Sequence, residues 1–351
     1  MINVLLVSPQ MENPNGGIAV WTDVYLAKCP ENDINCTLVN TAPVGARAKN
    51  GNAARSFKDE FVRTRYIFKE LAKSLKAAKF DAVHINSPCG TFGIIRDYYT
   101  VKKIRKVQPD ARIMVHFRCD IQFQIKNKVS KYFLGKLVKK IDACLVLNDT
   151  SRNYLIQEFG VEGIKVPNFL NEAYIIDTPK EIREELKTAF FVGRVSVAKG
   201  AKEMYEVAKR CPNIQFLLAG ALGEGVDSWE KPDNIVLLGA TKHDQVLSLM
   251  DESDVFFFPS HSEGFSIALT EAMARGLPTV TTNVGANADM LENDGGIVVS
   301  VGDVDAMEKA LHTMRPKAVR EKMSAWALDK VKNTYTSDAV LALLSKIYTG
   351  K

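Results

Sequence analysis

The chain has 351 residues, of which 46% are hydrophobic and 25% charged, and its net charge is +5. This length suits about two domains of roughly 150 residues each, and the composition excludes a disordered chain. No segment approaches the roughly 18 uninterrupted apolar residues of a membrane-spanning helix, and the opening MINVLLVSPQ lacks the basic start of a secretory signal. We expect a cytoplasmic protein, with peripheral attachment to the inner face of the cell membrane left open.

Strand-like apolar segments alternate with amphipathic ones along the first half of the chain. The predicted strands are Asn3–Val7, Thr37–Asn40, Ala82–Ile85, Arg112–His116 and Ala143–Leu147. Helical patterns lie between them, notably over Phe57–Lys79 and Asp97–Val107. This alternation is typical of a parallel, doubly wound sheet.

A polar stretch near residues 168–187 interrupts the pattern, which then begins again. The strands predicted in the second half are Ala189–Val192, Gln215–Leu218, Ile235–Leu238, Val255–Phe258 and Thr279–Thr281, followed by the segment GIVVSV. The sequence therefore predicts an α/β protein with two Rossmann-like units in series. A last amphipathic helix, Ser337–Tyr348, is expected to return to the first domain.

The positive charge of the chain is concentrated in its first half. Residues 1–170 contain 26 Lys and Arg against 15 Asp and Glu, whereas the remainder contains 20 against 26. A basic first half indicates an anionic partner, either nucleic acid or a membrane leaflet.

The six cysteines have no C-x-x-C spacing, so we expect small buried side chains in a reducing compartment.

Paired glycines, Gly16 and Gly17, stand between the first strand and a helix that begins near Ile18. Such glycines let backbone N–H groups approach a ligand at a helix N-terminus. From this loop alone an ordinary tight turn is the favoured interpretation. The G-x-G-x-x-G fingerprint of a nicotinamide dehydrogenase is absent from it.

Two cations follow the first strand of the second half, in FVGRVSVAKG. Arg194 offers a planar fork of donors and Lys199 a point charge, so together they could hold a diphosphate. A solvated loop with two incidental cations is the alternative. The glycines on both sides leave room for a ligand and favour the first interpretation.

The segment PSHSEGFSIALTEAMARGLP carries two carboxylates eight residues apart, Glu263 and Glu271. A helix is predicted from about Phe265, so the backbone N–H groups of residues 264–267 would form an anion site at its N-terminus. A helical rise of about 1.5 Å per residue separates the carboxylates by roughly 12 Å, enough to bracket a nucleotide-sugar. That span exceeds the separation of about 5–9.5 Å of a glycosidase pair.

Taken together, the glycine loop, VPNFLN, FVGRVSVAKG and the E-x7-E segment resemble the retaining GT-B glycosyltransferases of family GT4, also called group 1, over nearly the whole chain. The resemblance implies two Rossmann-like domains facing across a cleft, with an acceptor-binding domain at 1–168 plus 335–351. The donor-binding domain would then be 169–334. Transfer of a hexose from a nucleotide-diphosphate sugar to a glycan or lipid-linked saccharide is implied, in bacterial cell-surface polysaccharide synthesis. A GT-B nucleotide-sugar 2-epimerase and a non-catalytic nucleotide-sugar-binding protein remain alternatives.

The resemblance also implies roles for matched residues. Glu263 and His116 would face the reacting sugar. The donor-binding residues would be Gly16, Gly17, Arg194, Lys199, Gly264, Phe265, Ser266, Ile267 and Glu271. Arg118, Cys119 and the pair Asn168-Phe169 depart from the family pattern, and we interpret Asn168-Phe169 as a loop variation.

Mechanism follows from where charge develops. Departure of a nucleoside diphosphate places negative charge on phosphate, which cations and helix N–H groups stabilise. We expect neither a cofactor nor a metal, because Asp303-Val-Asp305 is better interpreted as a helix N-cap than as a metal-binding D-x-D.

The densest basic segment is KNKVSKYFLGKLVKK, with Val129, Phe133, Leu137 and Ile141 at helical spacing. Its cations are Lys126, Lys128, Lys131, Lys136, Lys139 and Lys140. A helix on an anionic membrane surface and a helix packed on its own sheet fit the pattern about equally. Nucleic acid is the less favoured partner, because the sequence shows no aromatic-interleaved RNA motif or groove-reading element, and we expect no nucleic-acid binding.

Overall fold

A computed structural model describes residues 1–11, 17–43, 56–292 and 294–350. The chain divides into two compact units, which are described separately. Unit 1 comprises Met1–Phe169 with Ser337–Lys351, and unit 2 comprises Leu170–Thr336. Each unit is built on a six-stranded sheet whose strand pairs are all parallel.

Unit 1 has the strand order β2-β1-β3-β4-β5-β6. Its strands are β1 (Ile2–Ser8), β2 (Ile34–Asn40), β3 (Ala82–Ser87), β4 (Arg112–Phe117), β5 (Ala143–Val146) and β6 (Gly163–Lys165). Its helices are α1 (Gly17–Lys28), α2 (Phe57–Ala77), α3 (Thr91–Val107), α4 (Ile121–Gln124), α5 (Lys128–Val138), α6 (Asp149–Phe159) and α13 (Ser337–Thr349). The central strands β3 and β5 are buried along their whole length, as strands covered on both faces must be.

The final helix, α13, packs into unit 1. Its Val340, Leu341 and Leu344 share a core with Trp21 and Tyr25 of α1. The hydroxyl of Tyr348 lies 2.8 Å from that of Tyr25 and 2.7 Å from Nδ1 of His84, so this polar group is satisfied inside the core. The end of the chain therefore completes the first sheet's covering layer.

Unit 2 has the strand order β12-β11-β10-β7-β8-β9. Its strands are β7 (Thr188–Val192), β8 (Gln215–Ala219), β9 (Ile235–Gly239), β10 (Val255–Phe258), β11 (Thr279–Thr282) and β12 (Gly296–Val299). Its helices are α7 (Ala201–Arg210), α8 (His243–Glu252), α9 (Ile267–Ala274), α10 (Asn287–Leu291), α11 (Val304–Thr313) and α12 (Lys317–Thr334). The order of strands reverses between β7 and β10, and ligands of open α/β sheets bind at the carboxyl ends of strands at such a switch point.

Two expectations need correction. Cys89 and Cys119 form a disulfide across the loops that follow β3 and β4, so these two are not free thiols, whereas the other four cysteines are. The short edge strand β6 was not predicted, because a segment of three residues is too short to show a strand pattern.

Within the described residues, no helix is both long enough and apolar enough to cross a bilayer.

Candidate functional site

The site in unit 2 begins with two loops that leave neighbouring strands at the switch point. One loop follows β7 and carries Arg194 and Lys199, the latter at the end of a short 3₁₀ helix. The other follows β10 and carries Glu263. Because β7 pairs directly with β10, both loops emerge at one edge of the sheet.

Lys199 and Glu263 meet across these loops. The ammonium Nζ lies 2.5 Å from Oε1 of the carboxylate, and only 12% of the Glu263 side chain is exposed. Lys199 also lies over the Phe258 ring, with Nζ 5.9 Å from the ring centre. Arg194 is exposed and forms no ion pair with the described residues. The site thus holds one paired and one unpaired cation.

A second bond ties the same two loops together. The backbone N–H of His261 donates to the carbonyl of Ala198 at 3.0 Å. The His261 ring Nε2 lies 2.9 Å from Oε1 of Glu203, a buried residue of α7 whose other carboxylate oxygen has no partner among the described residues. His261 and Glu203 therefore fix the approach of Lys199 to Glu263. No local pattern indicates this pair, because its members are 58 positions apart.

Helix α9 begins at Ile267, two residues later than predicted. Its N-cap is Ser266, whose hydroxyl accepts from the backbone N–H of Leu269 at 3.2 Å. The stretch from Glu263 to Ser266 is therefore loop, so the helical rise that predicted a 12 Å separation does not apply to the whole interval. Among the described residues, the backbone N–H groups of Phe265, Ser266 and Ile267 donate to no other protein group, which leaves them available to an anion.

Glu271 lies in α9 and is buried. His243 Nε2 lies 2.9 Å from its Oε1, and the His243 ring is 4.7 Å from that of Tyr174. Burial raises the pKa of the Glu271 carboxyl, and the hydrogen bond with His243 opposes that rise. His243 and Tyr174 are site neighbours that sequence reasoning missed.

Replacing Glu271 by Gln tests this carboxylate. A carboxyl whose pKa is raised in the folded chain costs stability as the pH rises through that raised pKa. Glu271→Gln should therefore melt at the same or a higher temperature near pH 8, and this difference should vanish below about pH 4.3, where Glu is protonated in both states. Added nucleoside diphosphate should no longer raise the melting temperature of Glu271→Gln. Exposed Glu252→Gln is the control, and lower stability without loss of nucleotide binding would contradict the assignment.

The remaining residues predicted to form the site are placed as follows. Gly17 is the first residue of α1, whereas Gly16 lies outside the described residues. His116 lies in β4 and is fully buried in unit 1. Burial and the neighbouring Arg118 lower its pKa, so its ring is neutral at pH 7. Asp303 is an N-cap, accepting from the backbone N–H of Ala306 at 2.9 Å. Within the described ranges, no cluster of His, Cys, Asp and Glu suits a metal ion.

Comparison with known proteins identifies the second unit. Residues 175–324 match the family model of glycosyl transferases group 1. Unit 2 of this chain belongs to that family. The group 1 resemblance predicted from the sequence is thus confirmed.

Two curated relatives extend this similarity. A phosphatidylinositol N-acetylglucosaminyltransferase component of Arabidopsis thaliana is 29% identical over 217 residues, which cover 56% of this chain and 47% of the relative. The capsular polysaccharide biosynthesis glycosyltransferase CapM of Staphylococcus aureus is 30% identical over 173 residues, or 45% of this chain and 44% of the relative. The chain spans about half the length of these two relatives.

The solved structures establish the fold. The Anabaena protein HepE, in complex with UDP and glucose, superposes with a TM-score of 0.70 at 13% identity and covers all of both chains. With the two parallel sheets described above, this similarity confirms the GT-B architecture of two Rossmann-like domains.

Proposed function

We propose that this protein transfers a hexose, with retention, from a nucleotide-diphosphate sugar to a glycan or lipid-linked saccharide during bacterial surface polysaccharide synthesis. The observation that carries the proposal is the group of Arg194, Lys199 and the N-terminus of α9 at the switch point of unit 2. The two cations and the backbone N–H groups of this helix N-terminus can stabilise the negative charge that develops on a departing diphosphate. CapM supports the polysaccharide context, and HepE with UDP and glucose supports the donor class.

The residues of the site take the following roles in this proposal. Arg194 and Lys199 hold the diphosphate together with the backbone N–H groups of residues 264–267. Glu271 accepts from the ribose hydroxyls. Glu263 positions the donor sugar and His116 faces it. The acceptor hydroxyl oxygen bonds to the anomeric carbon on the face from which the diphosphate departs, as the bond between that carbon and the phosphate oxygen breaks. The departing phosphate takes the hydroxyl proton, so the proposed route uses neither a protein nucleophile nor a protein general base.

A thermal-shift screen with UDP-, GDP- and ADP-sugars tests the donor class, because a ligand that binds only the folded chain raises its melting temperature according to its affinity. We expect one nucleotide base to be clearly preferred. Arg194→Gln and Glu263→Gln should both lower donor turnover. Unchanged turnover in both variants would show that the donor is bound elsewhere, and stabilisation without any turnover would favour the non-catalytic alternative.

We further propose that unit 1 binds an anionic membrane, although not through the apolar stripe predicted from the sequence. Of the predicted stripe, Leu137 is buried in the unit's own core, and Phe133 and Ile141 pack against that core. Val129 is exposed instead. The interpretation as a packed helix is therefore correct for the apolar face of α5.

A different surface carries the membrane proposal. Every exposed aromatic side chain among the described residues lies in α2 to α5 of unit 1: Phe57, Phe61, Tyr66, Phe92, Tyr99, Phe123 and Tyr132. We call this set the aromatic surface. Several members are linked: the Phe57 and Phe92 rings are 5.4 Å apart, and the Phe133 ring lies 6.3 Å from that of Tyr99 and 5.5 Å from that of Tyr132.

Lysines border the aromatic surface. Residues 91–140 contain thirteen Lys and Arg against three Asp, of which Asp97 and Asp120 are buried. The six lysines of the basic segment are all exposed, and only Lys131 forms an ion pair with a described residue, Glu158. Lys136 lies over the Tyr132 ring at 5.4 Å. Aromatic rings with surrounding cations are the composition that partitions into an anionic lipid interface.

Vesicle flotation tests this surface. The full chain should float with vesicles containing phosphatidylserine and should not float with vesicles of phosphatidylcholine alone. Replacing Lys128, Lys136 and Lys139 by Gln should lower the vesicle partition coefficient about 100-fold, because each lysine near the membrane surface contributes about 1 kcal/mol. The control replaces three exposed lysines of unit 2, Lys202, Lys309 and Lys332. Equal flotation of both triple variants would overturn the proposal.

A further inference from the structure

Arg118 of unit 1 is a cation whose side-chain hydrogen-bond partners are neutral groups. It stands in the loop after β4, which the disulfide of the adjacent Cys119 holds to the loop after β3. Its guanidinium contacts only neutral groups: Nη1 lies 3.1 Å from Nδ1 of His116, and Nη2 donates to the side-chain oxygen of Asn168. Among the described residues, no carboxylate pairs with it.

The titratable groups near Arg118 do not provide a negative charge that pairs with its guanidinium. Burial, aided by Arg118, lowers the pKa of both His84 and His116, so both rings are neutral at pH 7. The closest acid in sequence, Asp120, instead accepts from the backbone N–H of Gln122 at 3.2 Å as the N-cap of α4. Burial lowers the pKa of Arg118 itself, as expected for a partly buried cation that no anion compensates.

The guanidinium is nevertheless held in one orientation. It stacks on the Trp21 ring, 4.6 Å from its centre, and Trp21 in turn stacks on Phe169 at 5.0 Å. Asn168 and Phe169 are therefore not a neutral loop variation, because one binds Arg118 and the other supports its stacking partner. Arg118 Nε donates to no protein group among the described residues, so one N–H edge remains open.

The position of Arg118 and the chemistry of its guanidinium both indicate that it binds an anion. The loop lies at the carboxyl edge of a parallel sheet, where open α/β folds bind their ligands. An uncompensated guanidinium is costly until an anion binds it, and its planar fork suits two oxygens of one phosphate or carboxylate. Preorientation by Trp21 reduces the entropy that binding would otherwise cost.

We propose that Arg118 binds an oxyanion carried by the acceptor, so that the acceptor is an anionic saccharide or lipid bearing a phosphate or a carboxylate. This inference rests on the proposed function and deepens it, because it assigns the acceptor's chemical class. It concerns unit 1 alone. Arg118 is a specificity-determining residue in this view, and its bonds to His116 and Asn168 orient it.

Titration of the 351-residue chain with inorganic phosphate and with acetate, at constant ionic strength, tests the proposal. The most stabilising nucleoside diphosphate is present at saturation, so that the cations of unit 2 are occupied. Phosphate should raise the melting temperature of the wild-type chain, and a comparable effect of acetate would indicate a carboxylate. Arg118→Gln should bind the effective anion about tenfold more weakly or worse, whereas Arg118→Lys should retain part of the affinity. Arg65→Gln, at an exposed position on α2, is the control.

A second measurement separates ligand binding from a purely structural role. Without phosphate, Arg118→Gln should be as stable as the wild type or more so, because an uncompensated charge is removed. If the variant instead loses stability and still responds to phosphate, Arg118 serves only to pack Trp21, and the proposal is overturned. Stabilisation by the nucleoside diphosphate reports on unit 2 and should be unaffected, so failure of the proposed function would be visible separately.

Discussion

Lys199→Gln is expected to reduce sugar transfer by about 10²–10³-fold, the usual loss when one group that stabilises a developing oxyanion is removed. In the free protein Lys199 is paired with Glu263 at 2.5 Å, so a diphosphate must compete with this carboxylate for the ammonium. Steady-state transfer and nucleotide titration of the same variant provide the measurement. Lys202→Gln, at an exposed position three residues further on, should behave as wild type.

Glu263→Gln should separate binding from turnover. Removal of the carboxylate frees Lys199, so nucleoside diphosphate should bind as well as before or more tightly. Turnover should fall by about 10²-fold, because the carboxylate that we propose to position the sugar is gone. Weaker nucleotide binding together with normal turnover would reverse the roles assigned to these two residues.

The sheets could be predicted because inner strands such as β3, β5 and β10 are buried on both faces. Such strands are nearly continuous apolar segments, and the predicted limits of β10, Val255–Phe258, agree with the structure. The loops that bear Arg194, Lys199 and Glu263 follow from the same reasoning, since they begin where β7 and β10 end. Beside these loops the start of α9 was misplaced, because Ser266 acts as an N-cap rather than as a helical residue.

Side-chain partnerships could not be predicted in the same way. His243 meets Glu271 from 28 positions away, and Arg118 meets Asn168 from 50. Neither pair has a local pattern, because each depends on how the strands are ordered in the sheet. The aromatic surface was missed for a related reason: helical periodicity shows that a helix has two faces, but only packing decides which face is covered.

Gly200 is the position where backbone geometry matters most for the site. Its φ is +80°, and a Cβ placed there would lie 2.1 Å from the carbonyl oxygen of Pro259, which precedes the loop of Glu263. Relief of this contact requires the two loops to separate. Gly225 has nearly the same φ, +78°, but a Cβ there would meet nothing within 4 Å.

Gly200→Ala should therefore lower the free energy of unfolding of unit 2 by about 2–5 kcal/mol. The left-handed conformation costs about 1–2 kcal/mol, and overpacking costs about 1–3 kcal/mol. Gly225→Ala should lose only the conformational part. Calorimetry of both variants measures the difference, and nucleotide titration shows whether the site is affected. Because separation of the loops moves Lys199 away from the loop that leads into α9, whose N-terminus would share the diphosphate with it, only Gly200→Ala should also weaken nucleotide binding. Equal losses in the two variants would mean that the close approach of these loops contributes nothing to stability.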